Sequence, residues 1–134
     1  MRLIELPNPV NVYGDTSKRS KFYVPEEAAE AITGYARHGA RDIYIAAADP
    51  PVPVTLNLQD VDDVRGFFFL MDADFDLTIN GTGLLSFRRL NTRPENLTEK
   101  LRALMQCNTT SLAITNPSTT LPLRGYMLWW GDVA

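Results

Sequence analysis

The amino-acid sequence predicts an all-β domain, an antiparallel β-sandwich or jelly roll with one or two short helices. Several short segments alternate apolar and polar residues, as strands with one buried face do, and they include Val54–Leu58, Phe75–Asn80 and Leu112–Thr115. Turn-forming residues follow these segments, and two further segments are apolar on both faces. Roughly eight or nine short strands separated by turns are typical of a sandwich or jelly roll.

The clearest hairpin signal is Asn80-Gly81, which lies between the alternating segment Phe75–Ile79 and the apolar segment Leu84–Leu90. Asn and Gly both tolerate the positive φ angles of a tight turn. A second turn is predicted at Asn116-Pro117-Ser118, ahead of the final run Leu121–Trp130. The remaining predicted strands are Arg2–Leu6, Lys21–Val24 and Ile43–Ala47.

Two segments, Val64–Met71 and Gly125–Trp130, are apolar at nearly every position. Because successive side chains of a strand point to opposite faces, other elements must cover both sides of each. Two helices are candidates. The first, Pro25–Ile32, begins with proline and two glutamates, which suit a helix start. The second, Pro94–Cys107, has apolar residues at helical spacing, namely Leu97, Leu101, Leu104 and Met105. The alternative for this second segment is a long loop along one edge.

The 134 residues match one domain with a single substantial core, and 45% apolar and 22% charged residues are near the average for globular proteins. No repeat or linker divides the chain, so we predict one β-sandwich domain over residues 1–134. Residues 1–20 are alternatively an extended arm toward a neighbouring subunit, because they contain Pro7, Pro9 and the polar run Asp15–Ser20.

The net charge of −3 argues against nucleic-acid binding, which depends on Lys and Arg neutralising phosphates. The first residues lack a signal-peptide pattern, and no apolar run is long enough to span a membrane. The single cysteine, Cys107, fits a reducing compartment. We therefore expect a protein made in a cytoplasm, with no nucleic-acid or membrane partner.

The acidic run Asp72, Asp74 and Asp76 has the spacing that opens a calcium loop. Such a loop needs Gly at its sixth position and Glu at its twelfth, where this chain has Leu77 and Gly83. We therefore interpret Asp74 and Asp76 as the solvent face of a strand, and we expect no metal and no cofactor.

Catalytic patterns are lacking. The one histidine, His38, is placed by the sequence at the end of the first predicted helix, and Cys107 has no local signature of a nucleophile. There is no Gly-x-Ser-x-Gly, phosphate-binding loop or dinucleotide fingerprint. We predict a protein that is not an enzyme.

The aromatic residues allow a second function, a carbohydrate-binding module. Tyr44, Tyr126, Trp129 and Trp130 could form a platform on which sugars stack, although aromatic side chains on strands more often belong to a core.

The final strand predicts an interface. One face carries Leu121, Leu123, Gly125, Met127 and Trp129 and suits the interior, whereas the other mixes basic, aromatic and aliphatic side chains, Arg124, Tyr126, Leu128 and Trp130. Arg, Tyr and Trp often dominate the energy of protein interfaces. We predict that this second face binds another copy or a like-folded neighbour, unless Leu97–Met105 covers it.

Five segments form a pattern along the chain. In order, they are the strand Val54–Leu58, the segment Val64–Asp74, the motif Phe75-Asp-Leu-Thr-Ile-Asn-Gly81, the segment Thr109–Ser118 and the ending Trp129-Trp130-Gly131-Asp132. Across Tyr44–Asp132 this pattern resembles the small β-sandwich structural proteins of tailed-phage virions, which include capsid decoration (cement) proteins and head–tail or tail adaptor subunits. The resemblance implies a non-enzymatic virion component, present in many copies, that assembles through sheet faces and termini with itself and with major capsid or tail proteins.

Overall fold

The computed structural model describes residues 2–7, 19–35, 37–89 and 101–132. Within them the elements are β1 (Arg2–Pro7), β2 (Arg19–Val24), α1 (Glu26–Thr33), β3 (Arg37–Ile45), β4 (Val54–Thr55), β5 (Val64–Met71), β6 (Phe75–Ile79), β7 (Thr82–Phe87), β8 (Leu101–Met105), β9 (Leu112–Thr115) and β10 (Leu123–Gly131). The prediction of a mostly β, sandwich-like domain is confirmed.

Two four-stranded antiparallel sheets make up the sandwich. We call them the central sheet, with strand order β3-β10-β5-β8, and the outer sheet, with order β4-β9-β6-β7. β1 and β2 form a separate antiparallel pair. The two segments that are apolar on both faces, β5 and β10, are the inner strands of the central sheet, so both of their faces can be covered.

The first core lies between the two sheets. Phe69 of the central sheet and Phe75 of the outer sheet approach with ring centroids 6.0 Å apart, and Phe75 stacks on Phe87 at 4.7 Å. Trp129 is buried in this core and donates a hydrogen bond from Nε1 to the Gln59 carbonyl over 2.8 Å. The predicted interior face of the last strand is confirmed for Leu123, Met127 and Trp129, whereas Leu121 precedes the strand and is exposed.

A second core lies on the opposite face of the central sheet, beneath α1. Ala28, Ala29 and Ile32 of the helix pack against the sheet residues Ala40, Phe68, Leu128 and Trp130. Alanine at two of the three buried helix positions lets the helix approach the sheet closely. Apart from the β1–β2 pair, the described elements therefore form three layers, a short helix and two sheets, with the central sheet in the middle.

Adjacent tryptophans on β10 occupy these two cores. Trp129 pairs in register with Gly39 of β3, and Trp130 pairs with Gly66 of β5. A Cβ atom at Gly39 would lie 2.3 Å from the Trp129 indole, and one at Gly66 would lie 2.4 Å from the Trp130 indole. Each glycine therefore provides the space in which one indole lies flat across a neighbouring strand.

The predicted β6–β7 hairpin is confirmed. Asn80 and Gly81 adopt φ angles of 57° and 70°, as the turn requires. The Asn80 side chain also accepts a hydrogen bond from the Thr110 amide over 2.6 Å and donates one to the Asn108 carbonyl over 3.0 Å. This one residue therefore ties the hairpin turn to the loop that precedes β9.

Two predictions about covering elements are corrected. Within the segment Pro94–Cys107, Leu101–Met105 is strand β8 and not part of a helix or a loop, because its backbone pairs with the edge of β5 and Ala103 enters the first core. Residues 94–100 lie outside the described residues. The cover over the second face comes instead from α1, at the position predicted for the first helix.

The suggested arm is partly a strand. Arg2–Pro7 pairs with β2, which begins at Arg19, so these ends of the segment belong to a β-hairpin. Residues 8–18 lie outside the described residues.

Candidate functional site

The helix α1 covers only one end of the central sheet, and the other end of the same face forms the candidate functional site. We call this region the outer patch. It consists of six side chains from all four strands of the central sheet, Asp42, Tyr44, Leu70, Arg102, Arg124 and Tyr126.

The register of the strands places these residues on one face. Tyr126 pairs with Asp42 on one side and with Leu70 on the other, and Leu70 pairs with Arg102. Residues directly opposite each other in an antiparallel sheet share a face. Tyr126 and Leu70 also pack against the second core, on the side that α1 covers. The outer patch is therefore continuous with the second core and begins where the helix ends its cover.

An exposed part of the outer patch is a cation–π pair. The Arg124 guanidinium carbon lies 5.4 Å from the centroid of the Tyr44 ring, and Tyr44 is 61% exposed. Such a contact is within the range of about 6 Å in which the ring face attracts a cation. The pair restricts both side chains, so a partner that binds here loses less conformational entropy.

The predicted interface residues divide into two groups. Arg124 and Tyr126 lie in the outer patch, whereas Leu128 and Trp130 are each 0% exposed, beneath α1. The prediction that Leu128 and Trp130 form a contact surface is therefore wrong in this structure. The reason is that a helix of only eight residues, with alanines facing the sheet, suffices to cover them.

The same burial corrects the sugar-binding platform. Trp129 is 1% exposed in the first core and Trp130 is 0% exposed in the second, on opposite faces of the sheet. Neither indole presents a face to a sugar ring. Of the four aromatic residues in that platform, Tyr44 and Tyr126 remain on one accessible surface.

The acidic run is bonded within the protein. Asp72 accepts a hydrogen bond from the Arg124 amide over 3.0 Å, and Asp74 accepts one from the Arg89 amide over 2.8 Å. Asp76 forms an ion pair with Arg88 over 2.7 Å. These carboxylates fasten the ends of β6, β7 and β10 to one another.

Asp76 was predicted to face solvent, and that prediction is wrong, since the residue is 8% exposed. The hydrogen bond that Arg88 donates to Asp76 is the main cause that raises the pKa of the Arg88 guanidinium; burial opposes this rise, and the nearby charges of Asp76 and Asp74 add to it. Within the part of the chain that the structure describes, no group of three or more His, Cys, Asp or Glu residues is placed to hold a metal ion.

His38 and Cys107 are not brought together. His38 lies in β3, not at the end of α1 as the sequence suggested, and it pairs with Trp130. Cys107 packs against the first core, on the other side of the central sheet, with its Sγ 3.7 Å from the Thr109 hydroxyl. The structure therefore offers no Cys–His pair for nucleophilic chemistry among its described residues.

Two open grooves lie elsewhere on the described surface. The larger, of about 610 Å³, runs between the β4–β5 and β8–β9 loops and is lined mainly by polar residues such as Asn57, Asp62 and Thr110. The smaller, of about 470 Å³, lies beside Arg88, Arg89 and Pro117. Among the described residues that line these grooves there is no histidine, cysteine or lysine.

None of the helices in the described ranges is both long and apolar enough to cross a lipid bilayer. No family model, curated protein or solved structure matched the chain.

Sequence reasoning selected Tyr44 for the sugar-binding platform but missed three residues of the outer patch, Asp42, Leu70 and Arg102. Each is unremarkable in its own segment, and their proximity depends on the pairing of β3 and β8 with the inner strands. The alternation within each strand gives the face of a residue but not its neighbours on other strands.

Proposed function

We propose that this protein is a non-enzymatic structural subunit that binds other proteins through its outer patch, and that the assembly it serves is a tailed-phage virion. The observation that carries the binding part is the end of the central sheet that α1 leaves uncovered, where Arg124, Tyr44 and Tyr126 lie together on the four-stranded sheet.

The composition of the outer patch favours a protein partner. Tyrosine and arginine are enriched among the residues that contribute most to binding at protein interfaces. Here two tyrosines and two arginines share one face of the sheet with the half-buried Leu70, and Asp42 adds a carboxylate at the edge. Its side chains come from four adjacent strands of one sheet, and such a sheet face suits a second protein surface better than a small substrate.

The charge of the outer patch specifies the partner further. Arg102 and Arg124 against Asp42 give a local balance of +1 (two minus one), although the whole chain carries −3. An acidic surface with apolar groups among its carboxylates is therefore the complementary partner. We expect its binding to weaken with added salt, because exposed charges are screened over about 10 Å at 0.1 M ionic strength.

The virion part of the proposal is supported by the resemblance of Tyr44–Asp132 to small sandwich proteins of tailed phages. It agrees with a compact domain in which the identified ion pairs and hydrogen bonds fasten strands together. The gene neighbourhood is a rapid check, since virion genes cluster with those for capsid, portal or tail proteins.

The test is to purify phage particles from the strain that carries the gene and to quantify this chain in them by mass spectrometry. We expect many copies per particle. Arg124→Glu and Tyr44→Ala, introduced into the gene, should reduce that number strongly, whereas Val52→Ala, at a 59% exposed loop position outside the patch, should not. Particles that lack the wild-type chain would overturn the virion proposal, and undiminished incorporation of both patch variants would overturn the role of the patch.

A further inference from the structure

The edge strand β7 has the features of a pairing surface for a second copy of this chain. It ends the outer sheet, and among the described strands it pairs with β6 alone. Its residues from Thr82 to Ser86 are all exposed, including Leu84 at 60% and Leu85 at 40%. An edge of this kind presents unpaired backbone amides and carbonyls beside apolar side chains.

Natural proteins usually protect such edges with charged side chains, proline, bulges or a covering element. β7 contains no charged residue and no proline between Thr82 and Phe87. A bulge is present only at its turn end, where Gly83 and Leu84 lie between the paired residues Thr82 and Leu85, and the segment from Leu85 onward is regularly paired with β6. Each of the two edges of the central sheet, by contrast, carries charge, with Arg41 and Asp42 on β3 and Arg102 on β8.

We propose that two copies of this chain pair through β7 in antiparallel orientation, so that their outer sheets join into one continuous sheet across a two-fold axis. This inference concerns a different surface from the outer patch and does not depend on the virion proposal. The occupant is a second copy because the strand is complementary to itself.

The self-complementarity follows from the symmetry. A two-fold axis normal to the sheet keeps each face of the strand on the same side, so a residue meets partner residues of its own face. Leu84, on the outer face, then lies directly opposite the partner's Leu84 or one diagonal step from it, and Leu85 on the inner face lies likewise near the partner's Leu85. Both registers bring the leucines of each face together, and neither brings like charges within the strand together.

The inner face gains an additional contact. Leu85 pairs with the fully buried Leu77, and Phe87 pairs with Phe75. Pairing of two β7 strands would therefore extend the first core of each copy across the axis. A single strand pair buries less than the roughly 1,200 Å² of a standard stable interface, so we expect a weak dimer whose population rises with concentration.

The first experiment is light scattering coupled to gel filtration over a range of concentrations. We expect the wild-type mass to rise from the 15.0 kDa of one chain toward twice that value. Leu84→Lys places like charges opposite or diagonal to each other on the outer face, and Ser86→Lys places a charged side chain against the partner's Thr82 or the partner's Leu84, so each should raise the dimer dissociation constant at least tenfold. Because Ser86 is exposed, its substitution should leave the circular dichroism spectrum unchanged even where Leu84→Lys perturbs folding.

The second experiment locates the contact. In a Cys107→Ser background, Leu84→Cys or Leu85→Cys should form a disulfide-linked dimer under mild oxidation, according to the register, and Val52→Cys should not. A 15.0 kDa mass at every concentration, or a dimer that neither lysine variant weakens, would overturn the inference. Loss of the chain from phage particles would instead count against the virion proposal alone, so the two failures are distinguishable.

Discussion

Two glycines allow the adjacent tryptophans of β10 to pack on opposite faces of one sheet. At Gly66 the atoms nearest to an added Cβ belong to the Trp130 indole, which is itself 0% exposed and held beneath α1. The indole therefore cannot turn away without disrupting the second core. Overpacking of this kind typically costs about 1–3 kcal/mol.

We predict that Gly66→Ala lowers the free energy of unfolding by about 1–3 kcal/mol or more, measured by denaturant titration. In a Trp130→Phe background the same substitution should cost less, because the smaller ring leaves room for the methyl group. Gly34→Ala is the matched control, since Gly34 has φ −82° and an added Cβ would meet its nearest atom at 3.5 Å. Equal costs of Gly66→Ala in both backgrounds would contradict the role assigned to the indole.

The three aspartates of the β5–β6 region also have defined roles. Since Asp72 and Asp74 accept backbone amides and Asp76 binds Arg88, these oxygen atoms are occupied without a metal ion. We predict that EDTA leaves the melting temperature unchanged and that added calcium does not raise it, because a ligand that binds only the native state must stabilise it. A melting temperature that falls by several degrees in EDTA and recovers with calcium would contradict this.

At the scale of elements, the short helix α1 determines how much of the central sheet remains open. Ala28 and Ala29 are 0% and 2% exposed, so the helix backbone lies close to Phe68 and Trp130. A larger side chain at Ala28 would have to displace the helix from the sheet.

We predict that Ala28→Leu costs about 1–3 kcal/mol of stability and moves the tryptophan fluorescence maximum to longer wavelength, because water gains access to Trp130. Glu30→Gln, at an exposed position on the same helix, should change neither quantity. An unchanged fluorescence maximum in a destabilised Ala28→Leu protein would show that the helix does not control access to Trp130.

The sequence permitted much of the element pattern to be predicted, for physical reasons that differ between elements. The β6–β7 hairpin follows from alternation and from Asn-Gly at the turn, both of which are local signals. The need to cover both faces of β5 and β10 follows from their apolar composition. Which element supplies the cover does not, because Leu97–Met105 has helical spacing, while Leu101, Ala103 and Met105 within it also alternate like a strand. Pairing with β5 decides between the two, and that contact is not local.

The candidate site was harder to predict for the same reason. Arg124 and Tyr126 could be selected from one strand, because residue type and alternation are visible there. Leu128 and Trp130 share that face and were selected with them, yet a helix distant in sequence buries them. A one-dimensional pattern indicates which side chains share a face, whereas the boundary between core and surface on that face depends on tertiary packing.

At the scale of the whole molecule, β10 links the two cores, since Trp129 belongs to one and Trp130 to the other. The two residues are covalently adjacent on the strand that pairs with both β3 and β5. Loss of either core would expose apolar surface on the central sheet and weaken the other. Such coupling favours a single cooperative unfolding transition, as in most single domains of this size.

We therefore predict that two single-tryptophan variants, although they differ in stability, each unfold in one transition that all probes report alike. Trp130→Phe leaves Trp129 as the probe of the first core, and Trp129→Phe leaves Trp130 as the probe of the second. In each variant the fluorescence midpoint in denaturant should coincide with the midpoint from far-ultraviolet circular dichroism, which follows the sheets as a whole. If the Trp130 signal changed at lower denaturant than the circular dichroism of the same variant, α1 would separate from the central sheet before the sandwich unfolds. The face now covered by the helix would then become accessible in a partly folded state, and the covered end of the sheet, with Leu128 and Trp130, would join the outer patch as one apolar surface.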